Sequence, residues 1–282
     1  MGVVLALGAA VAYGLSDFVG GLASRRTTPW PVALLGAFGG LVSAAVVAAV
    51  RGGDPASADL LWGAAAGLGS GAGSVFLYRG LAIGRMGVVA PVSAVGAAVV
   101  PVVVGLATGE RPSTLTLVGI VAALPGIWLV ARMPETDTRT DTDAAPTHTG
   151  FLDGVLAGLG FGLLFVALGQ VPEEAGFWPL TVTQAASLVT ICLIASGLRE
   201  AWLPTAASEW WGAVAGLVAT AAVLMFLLAT QSGLLTVAAV LTSLYPAFTI
   251  LLAAVVLREH VFRGQAYGLV LCGVAVAFVA AG

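Results

Sequence analysis

Ten long apolar stretches follow one another along this chain with hardly a polar interval, at about 3–22, 31–50, 60–80, 87–107, 115–132, 151–170, 178–197, 211–229, 234–256 and 264–281. Each is long enough for a helix rising about 1.5 Å per residue to cross a hydrocarbon core about 30 Å thick. Lipid offers nothing to hydrogen-bond a bare peptide group, so such segments satisfy their backbones internally, as helices. The expectation is an all-α integral membrane protein. With 59% of its 282 residues hydrophobic and 9% charged, the chain has no room for an extramembrane catalytic domain. Trp30, Trp62, Trp178, Trp202, Trp210 and Trp211 fall at or near the proposed span ends, where amphipathic rings favour the interface.

Several function classes drop out early. The net charge of −3 and the absence of any basic cluster argue against nucleic acid as a partner. No nucleophile elbow, HExxH motif, phosphate loop or paired His/Cys spacing is present, so no enzyme, cofactor or metal site is expected. Cys192 and Cys272 each sit inside an apolar run and read as small hydrophobes rather than a disulfide pair. The segment from Val3 to Gly21 lacks a basic leader and a defined cleavage site, and reads as the first span rather than a signal peptide.

Residues 133–149 interrupt the pattern. This stretch carries Pro134, Glu135, Asp137, Arg139, Asp141 and Asp143, too polar to bury a core, and it reads as a mobile linker. It separates a first five-span unit, 1–132, from a second, 150–282. The two units repeat at an offset of 149 residues, which pairs Gly84 with Gly233, Glu110 with Glu259 and Gly119 with Gly268. Five crossings are an odd number, so the second copy enters from the opposite face. Two such copies make an inverted repeat, an arrangement by which many transporters expose a midplane site to each face in turn.

Each unit ends in the same order of features. In the first these are Val88–Ala90, Pro91, Pro101, Gly109–Glu110–Arg111 and Gly119; in the second, Ala238–Ala239, Pro246, Leu257–Arg258–Glu259 and Gly268. Together with the opening Tyr13-Gly14-Leu15-Ser16-Asp17-Phe18, this resembles the EamA-type branch of the drug/metabolite transporter superfamily over essentially the whole chain. The resemblance implies ten transmembrane helices in two inverted five-helix repeats. It also implies a midplane cavity among spans 1, 3, 4, 6, 8 and 9, with spans 5 and 10 as braces. One departure stands out: Pro246 lies thirteen residues before Glu259, whereas the equivalent place before Glu110 is Ala97.

Helical spacing sorts the polar residues onto faces. Tyr13, Ser16 and Asp17 share a face of span 1; Ser70, Ser74 and Tyr78 form a stripe on span 3; Thr183, Gln184, Ser187 and Thr190 do so on span 7; Thr242, Tyr245 and Thr249 do so on span 9. These stripes read either as the walls of a substrate cavity or as hydroxyls bonded back to helix carbonyls. The candidate cavity set is Tyr13, Ser16, Asp17, Ser74, Tyr78, Gln184, Thr242 and Tyr245. Asp17 is the acid well inside a span, where a lipid-facing charge would cost several kcal/mol. It is a candidate for proton coupling, or alternatively a carboxylate paired with Arg25 or Arg26. Arg79 reads as an anion holder or as a side chain reaching the headgroups. Pro91, Pro101 and Pro246 are candidate hinges or kinks, each removing a helix hydrogen bond. Glycines every four residues, at 63, 67 and 71, at 36 and 40, and at 154, 158 and 162, read as close-packing seams.

The reading that follows is a secondary transporter of a small organic solute, a metabolite or amino acid, working in export by alternating access. Its partners are the small-molecule substrate and the lipid bilayer, joined by protons if Asp17 couples transport and by none if the protein is an uncoupled facilitator; its location is a prokaryotic plasma membrane, as a multi-pass protein. The alternatives are a translocator of lipids or lipid-linked sugars, and a non-transporting membrane subunit that binds a partner through its glycine seams. Nine of the eleven arginines fall on the face reached by the ends of spans 1, 3, 5, 7 and 9. The positive-inside rule makes that face cytoplasmic and both termini external, whereas the family resemblance implies internal termini.

Overall fold

The computed structural model describes residues 1–24, 29–83, 86–132 and 150–282, without the side chains of 24, 29, 78, 81–83, 86 and 87. The expected linker at 133–149 and the side chain of Tyr78 thus lie outside the described residues. The described chain is helical with no strand: α1 (Gly2–Ser24), α2 (Pro29–Arg51), α3 (Ser57–Ile83), α4 (Met86–Ala107), α5 (Thr114–Ala131), α6 (Phe151–Leu168), α7 (Trp178–Gly197), α8 (Trp211–Gln231), α9 (Leu235–Thr242), α10 (Tyr245–Val256) and α11 (Arg263–Ala281). Among the described residues, ten spans are long and apolar enough to cross a membrane, with α9 and α10 together forming the ninth. This is a multi-pass membrane protein.

The repeat governs the packing. An offset of 149 carries the start of α4 at Met86 onto the start of α9 at Leu235, and the end of α4 at Ala107 onto the end of α10 at Val256. Helix partners follow the same relation. α3 lies along α6 and α7, as α8 lies along α1 and α2; α4 lies along α6, as α9 and α10 lie along α1. α5 packs against its own counterpart α11. There Gly119 faces Ala275 and Val279, while its equivalent Gly268 faces Gly126 and Val130.

Small residues set the interhelix distances, as the sequence spacing suggested. Gly63, Gly67 and Gly71 lie against Pro179, Thr183 and Thr190 of α7, and Gly36 lies against Gly212 of α8. In lipid there is little hydrophobic force between helices, so close backbone approach and dispersion hold these seams. Many of the large apolar side chains turn outward instead, while others such as Phe226, Leu168 and Leu180 fill the interior. On α2, Phe38, Val42, Val46 and Val50 form an exposed stripe at every fourth residue, the face offered to lipid.

The two ends of the bundle differ. We call the end holding both termini the N-terminal face and the end from which α5 and α6 reach 133–149 the linker face. On the N-terminal face the bonds join the two repeats. Asp54 N donates to the Glu174 carbonyl at 3.1 Å. The Glu110 carboxylate accepts from Leu235 N at 2.5 Å and Thr236 N at 3.0 Å. Gly53, at φ 136°, and Gly176, at φ 62°, let the α2–α3 and α6–α7 connections touch backbone to backbone. On the linker face the ion pair of Arg79 with Asp153, at 2.6 Å, joins the repeats.

Candidate functional site

α1 packs its inward face against α8, α9 and α10, and accessibility along that face is graded. Ala6, Ala9 and Ala10 are fully buried. Tyr13 is half-buried, and Asp17 and Gly21 are exposed. This exposure is not to lipid: Val4, Val11 and Leu15 mark the lipid side, and Asp17 lies two positions beyond Leu15, about 200° around a helix. The inward face is therefore shut toward the N-terminal face and open toward the linker face, with Asp17 in the opening.

Aromatic rings close the inner end. Tyr13 meets Tyr245 of α10 at 6.1 Å between centroids and Phe165 of α6 edge-on at 6.4 Å. Phe165 stacks in turn on Phe226 of α8 at 4.5 Å. Gly14 makes this approach feasible, because a side chain there would collide with Phe248 and the Tyr245 carbonyl. The Tyr13 hydroxyl is buried and has no hydrogen-bond partner among the described residues, as is the Ser243 hydroxyl between α9 and α10. Asp17 interacts electrostatically with both Tyr13 and Tyr245.

The ninth span is broken where the sequence suggested a kink. α9 ends at Thr242 and α10 begins at Tyr245. Pro246 occupies the first turn of α10, where its missing N–H is needed least. It has no N–H to offer the Thr242 carbonyl, which an unbroken helix would have required. Pro91 and Pro101 behave differently, since both lie inside a continuous α4. Pro125, not singled out in the sequence, lies inside α5.

The remaining expected wall residues serve packing. Ser16 is buried and donates to the Ala215 carbonyl at 2.8 Å, joining α1 to α8. Thr242 is fully buried and its hydroxyl lies 3.4 Å from the Ala6 carbonyl, joining α9 to α1. Gln184 is buried, with Nε2 donating to Thr220 Oγ1 at 2.9 Å between α7 and α8. Ser74 is half-buried on α3. Thr183, Thr190 and Thr249 each donate to the carbonyl four residues earlier, the back-bonding expected of hydroxyls in lipid. The side chain of Tyr78 lies outside the described residues, as do Arg25 and Arg26. Of the expected cavity set, the structure thus gathers Tyr13, Asp17 and Tyr245 in one place.

Three participants escaped the sequence reading. Phe165 and Phe226 are apolar residues in apolar helices, so no contrast marks them. Asp153 is a buried acid in the first turn of α6. It holds Arg79 through Nε at 2.8 Å and Nη2 at 2.6 Å, while the guanidinium also lies 5.1 Å from the Phe76 ring. Arg79 is therefore already engaged by an acid rather than held ready for an anion. A surface depression of about 300 Å³ beside Gln170, Pro172 and Gln231 lies at the opposite end, walled by loop backbone and the exposed Glu173 and Glu174. It is a notch in the N-terminal face, not an entrance to the bundle.

Ten spans in two interlocked repeats, with an accessible carboxylate on an inward helix face, define a membrane protein built like a transporter. The chain belongs to the EamA-like transporter family, whose pattern matches at residues 1–132 and again at 148–281. Comparison with curated protein sequences gives no match. Among solved structures, one crystal structure of a protein superposes with a TM-score of 0.76 at 17% identity, covering 98% of this chain and 95% of that one. At that identity the likeness speaks to the fold.

Proposed function

We propose that this protein is a secondary transporter that exports a small organic solute, a metabolite or amino acid, across a prokaryotic plasma membrane by alternating access. The observation that carries the reading is the graded inward face of α1, closed at Ala6, Ala9 and Ala10 and open at Asp17. A path shut at one end and accessible at the other is what one half of an alternating cycle requires. The inverted repeat supplies a second arrangement, related by a pseudo-two-fold rotation, for the other half. The broken ninth span is the moving element in this reading, because a helix interrupted at Ser243–Leu244 bends without losing further backbone bonds. Asp17 is the coupling carboxylate, taking up a proton in one orientation and releasing it in the other.

Reconstitution tests this directly. A growth-rescue or accumulation screen with the gene deleted and overexpressed first supplies the solute. In proteoliposomes an imposed proton gradient is then expected to drive its accumulation. Asp17→Asn preserves shape and most hydrogen bonding but removes titration, so it is expected to fold normally and lose gradient-driven flux. Gradient-driven flux at the wild-type rate in Asp17→Asn would remove the coupling role and leave a facilitator.

A further inference from the structure

We infer that the solute held at the Asp17 recess is an organic cation, an ammonium group carried on an apolar body. The inference rests on the transport-site reading above and adds to it a substrate class. It starts from charge. Asp17 is exposed on an inward helix face, and no described basic side chain pairs with it: Arg79 is bound to Asp153, while Arg51, Arg111, Arg132, Arg199, Arg258 and Arg263 lie at the helix ends or in the connections. A carboxylate on the inward face of a membrane helix, with no counter-ion among the described residues, is a place where a ligand's positive charge is stabilised and a negative one is repelled.

The rest of the recess has the same preference. Tyr13 and Tyr245 are splayed at 54° with centroids 6.1 Å apart, so they do not exhaust their faces by stacking on each other. The negative face of such a ring attracts a cation, and quaternary ammonium groups are recognised in this way. The Tyr13 and Ser243 hydroxyls are buried without a partner among the described residues, and buried polar atoms left unpaired in a native fold call for an explanation. Oxygen atoms at the inner end and a carboxylate at the mouth suit an N–H-bearing or quaternary nitrogen. Phe165 and Phe226, both buried behind Tyr13, make the surroundings of that ring apolar, which suits a ligand with an apolar body. Breaks in transporter helices also present backbone carbonyls to cations, and the break here lies immediately before Tyr245.

The test uses three probes with the same ring and different charge: benzyltrimethylammonium, neutral N-benzylacetamide and anionic benzenesulfonate. The quaternary probe neither donates a hydrogen bond nor loses a proton, so its binding reads charge and ring faces alone. Equilibrium binding to the purified full-length protein is expected to be saturable for the ammonium and at least tenfold weaker for the other two. Asp17→Asn should weaken ammonium binding at least tenfold while Asp17→Glu retains most of it. Tyr13→Phe should keep the affinity and Tyr13→Leu lose it; this second pair decides the matter if an Asp17 variant fails to fold. Equal binding of the neutral or anionic probe, or unchanged ammonium binding in folded Asp17→Asn, overturns the cation assignment. The transport reading is checked separately by a thiol at Gly21→Cys, with Cys192 and Cys272 replaced by alanine. Gly21 has open space around it, so the substitution fits. Labelling from both faces supports alternating access whatever the probes do. Labelling from one face alone, together with selective ammonium binding, removes transport and keeps the cation site.

Discussion

The repeat builds one interface twice, and the two versions have diverged. At an offset of 149, Tyr13 of α1 corresponds to Gly162 of α6, Tyr245 of α10 to Gly96 of α4, and Asp17 to Val166. Between α4 and α6 the glycines bring the backbones together: a Cβ on Gly96 would stand 2.9 Å from the Gly158 Cα, and one on Gly162 would run into Val100. Between α1 and α10 tyrosines replace them, the helices enclose aromatic rings, and the inward face stays accessible at Asp17. One interface is sealed and the other is a recess. The duplicated architecture supplies the scaffold, and the departures from symmetry locate the chemistry.

Exchanging residues between the two interfaces gives the largest expected effect. Gly96→Tyr copies the recess into the sealed seam, where backbone rather than a flexible side chain stands in the way. Overpacking typically costs about 1–3 kcal/mol; a whole tyrosine ring set against backbone lies at the upper end, and the variant is expected to yield no monodisperse protein on size exclusion. The reverse exchange, Tyr245→Gly, removes bulk from a half-buried position. It should leave the protein folded, with a lowered melting temperature, while abolishing saturable benzyltrimethylammonium binding. If Gly96→Tyr folds as well as the wild type, the seam is not the rigid half of the comparison.

A smaller effect is expected at the clasp on the N-terminal face. Glu110 of the first repeat receives two backbone N–H groups at the start of α9, in the second. A carboxylate there satisfies donors that have no partner within the helix and meets the positive end of its dipole. Glu110→Ala leaves those donors without their acceptor, a loss of about 1–3 kcal/mol. We expect it to loosen the closed end of the recess, seen as faster labelling of a cysteine at Thr236, which is fully buried in the wild type. Unchanged labelling would mean that the Asp54–Glu174 and glycine contacts hold this face shut by themselves.

How far the sequence revealed this is clear from individual residues. The spans, the 149-residue offset and the Gly119–Gly268 equivalence were legible because length, hydropathy and small-residue spacing are direct consequences of life in a bilayer. Asp17 was legible for the same reason, since an acid within a span needs a purpose. Ser16, Gln184 and Thr242 were not separable in the sequence from residues on an accessible inward face. A hydroxyl or amide bonded to a neighbouring helix and one facing a cavity have the same helical phase until the neighbour is known. Phe165 was hidden by being apolar among apolar residues, yet the repeat places it opposite Ser16. Asp153 was hidden because its partner Arg79 is distant in sequence and its own position, a first helical turn, is ordinary for an acid.

The smallest expected effect concerns how each copy starts its fifth span. At α5 the Ser113 hydroxyl accepts from Thr116 N at 3.1 Å, the usual N-terminal cap. At α11 the equivalent of Ser113 is Phe262, which has no acceptor to offer. There the bond runs the other way, with Gln265, the equivalent of Thr116, accepting from Phe262 N at 3.1 Å. Each copy therefore keeps one half of a reciprocal capping box. Ser113→Ala and Gln265→Ala should each lower stability by about 1 kcal/mol, read as a small drop in melting temperature with ammonium binding unchanged. The two helix starts lie on opposite faces of the bundle, so the double variant should lose the sum of the single losses to within about 0.5 kcal/mol. A clear departure from that sum would show that α5 and α11, packed along each other, transmit strain between faces, and the braces would then belong to the moving part of the molecule.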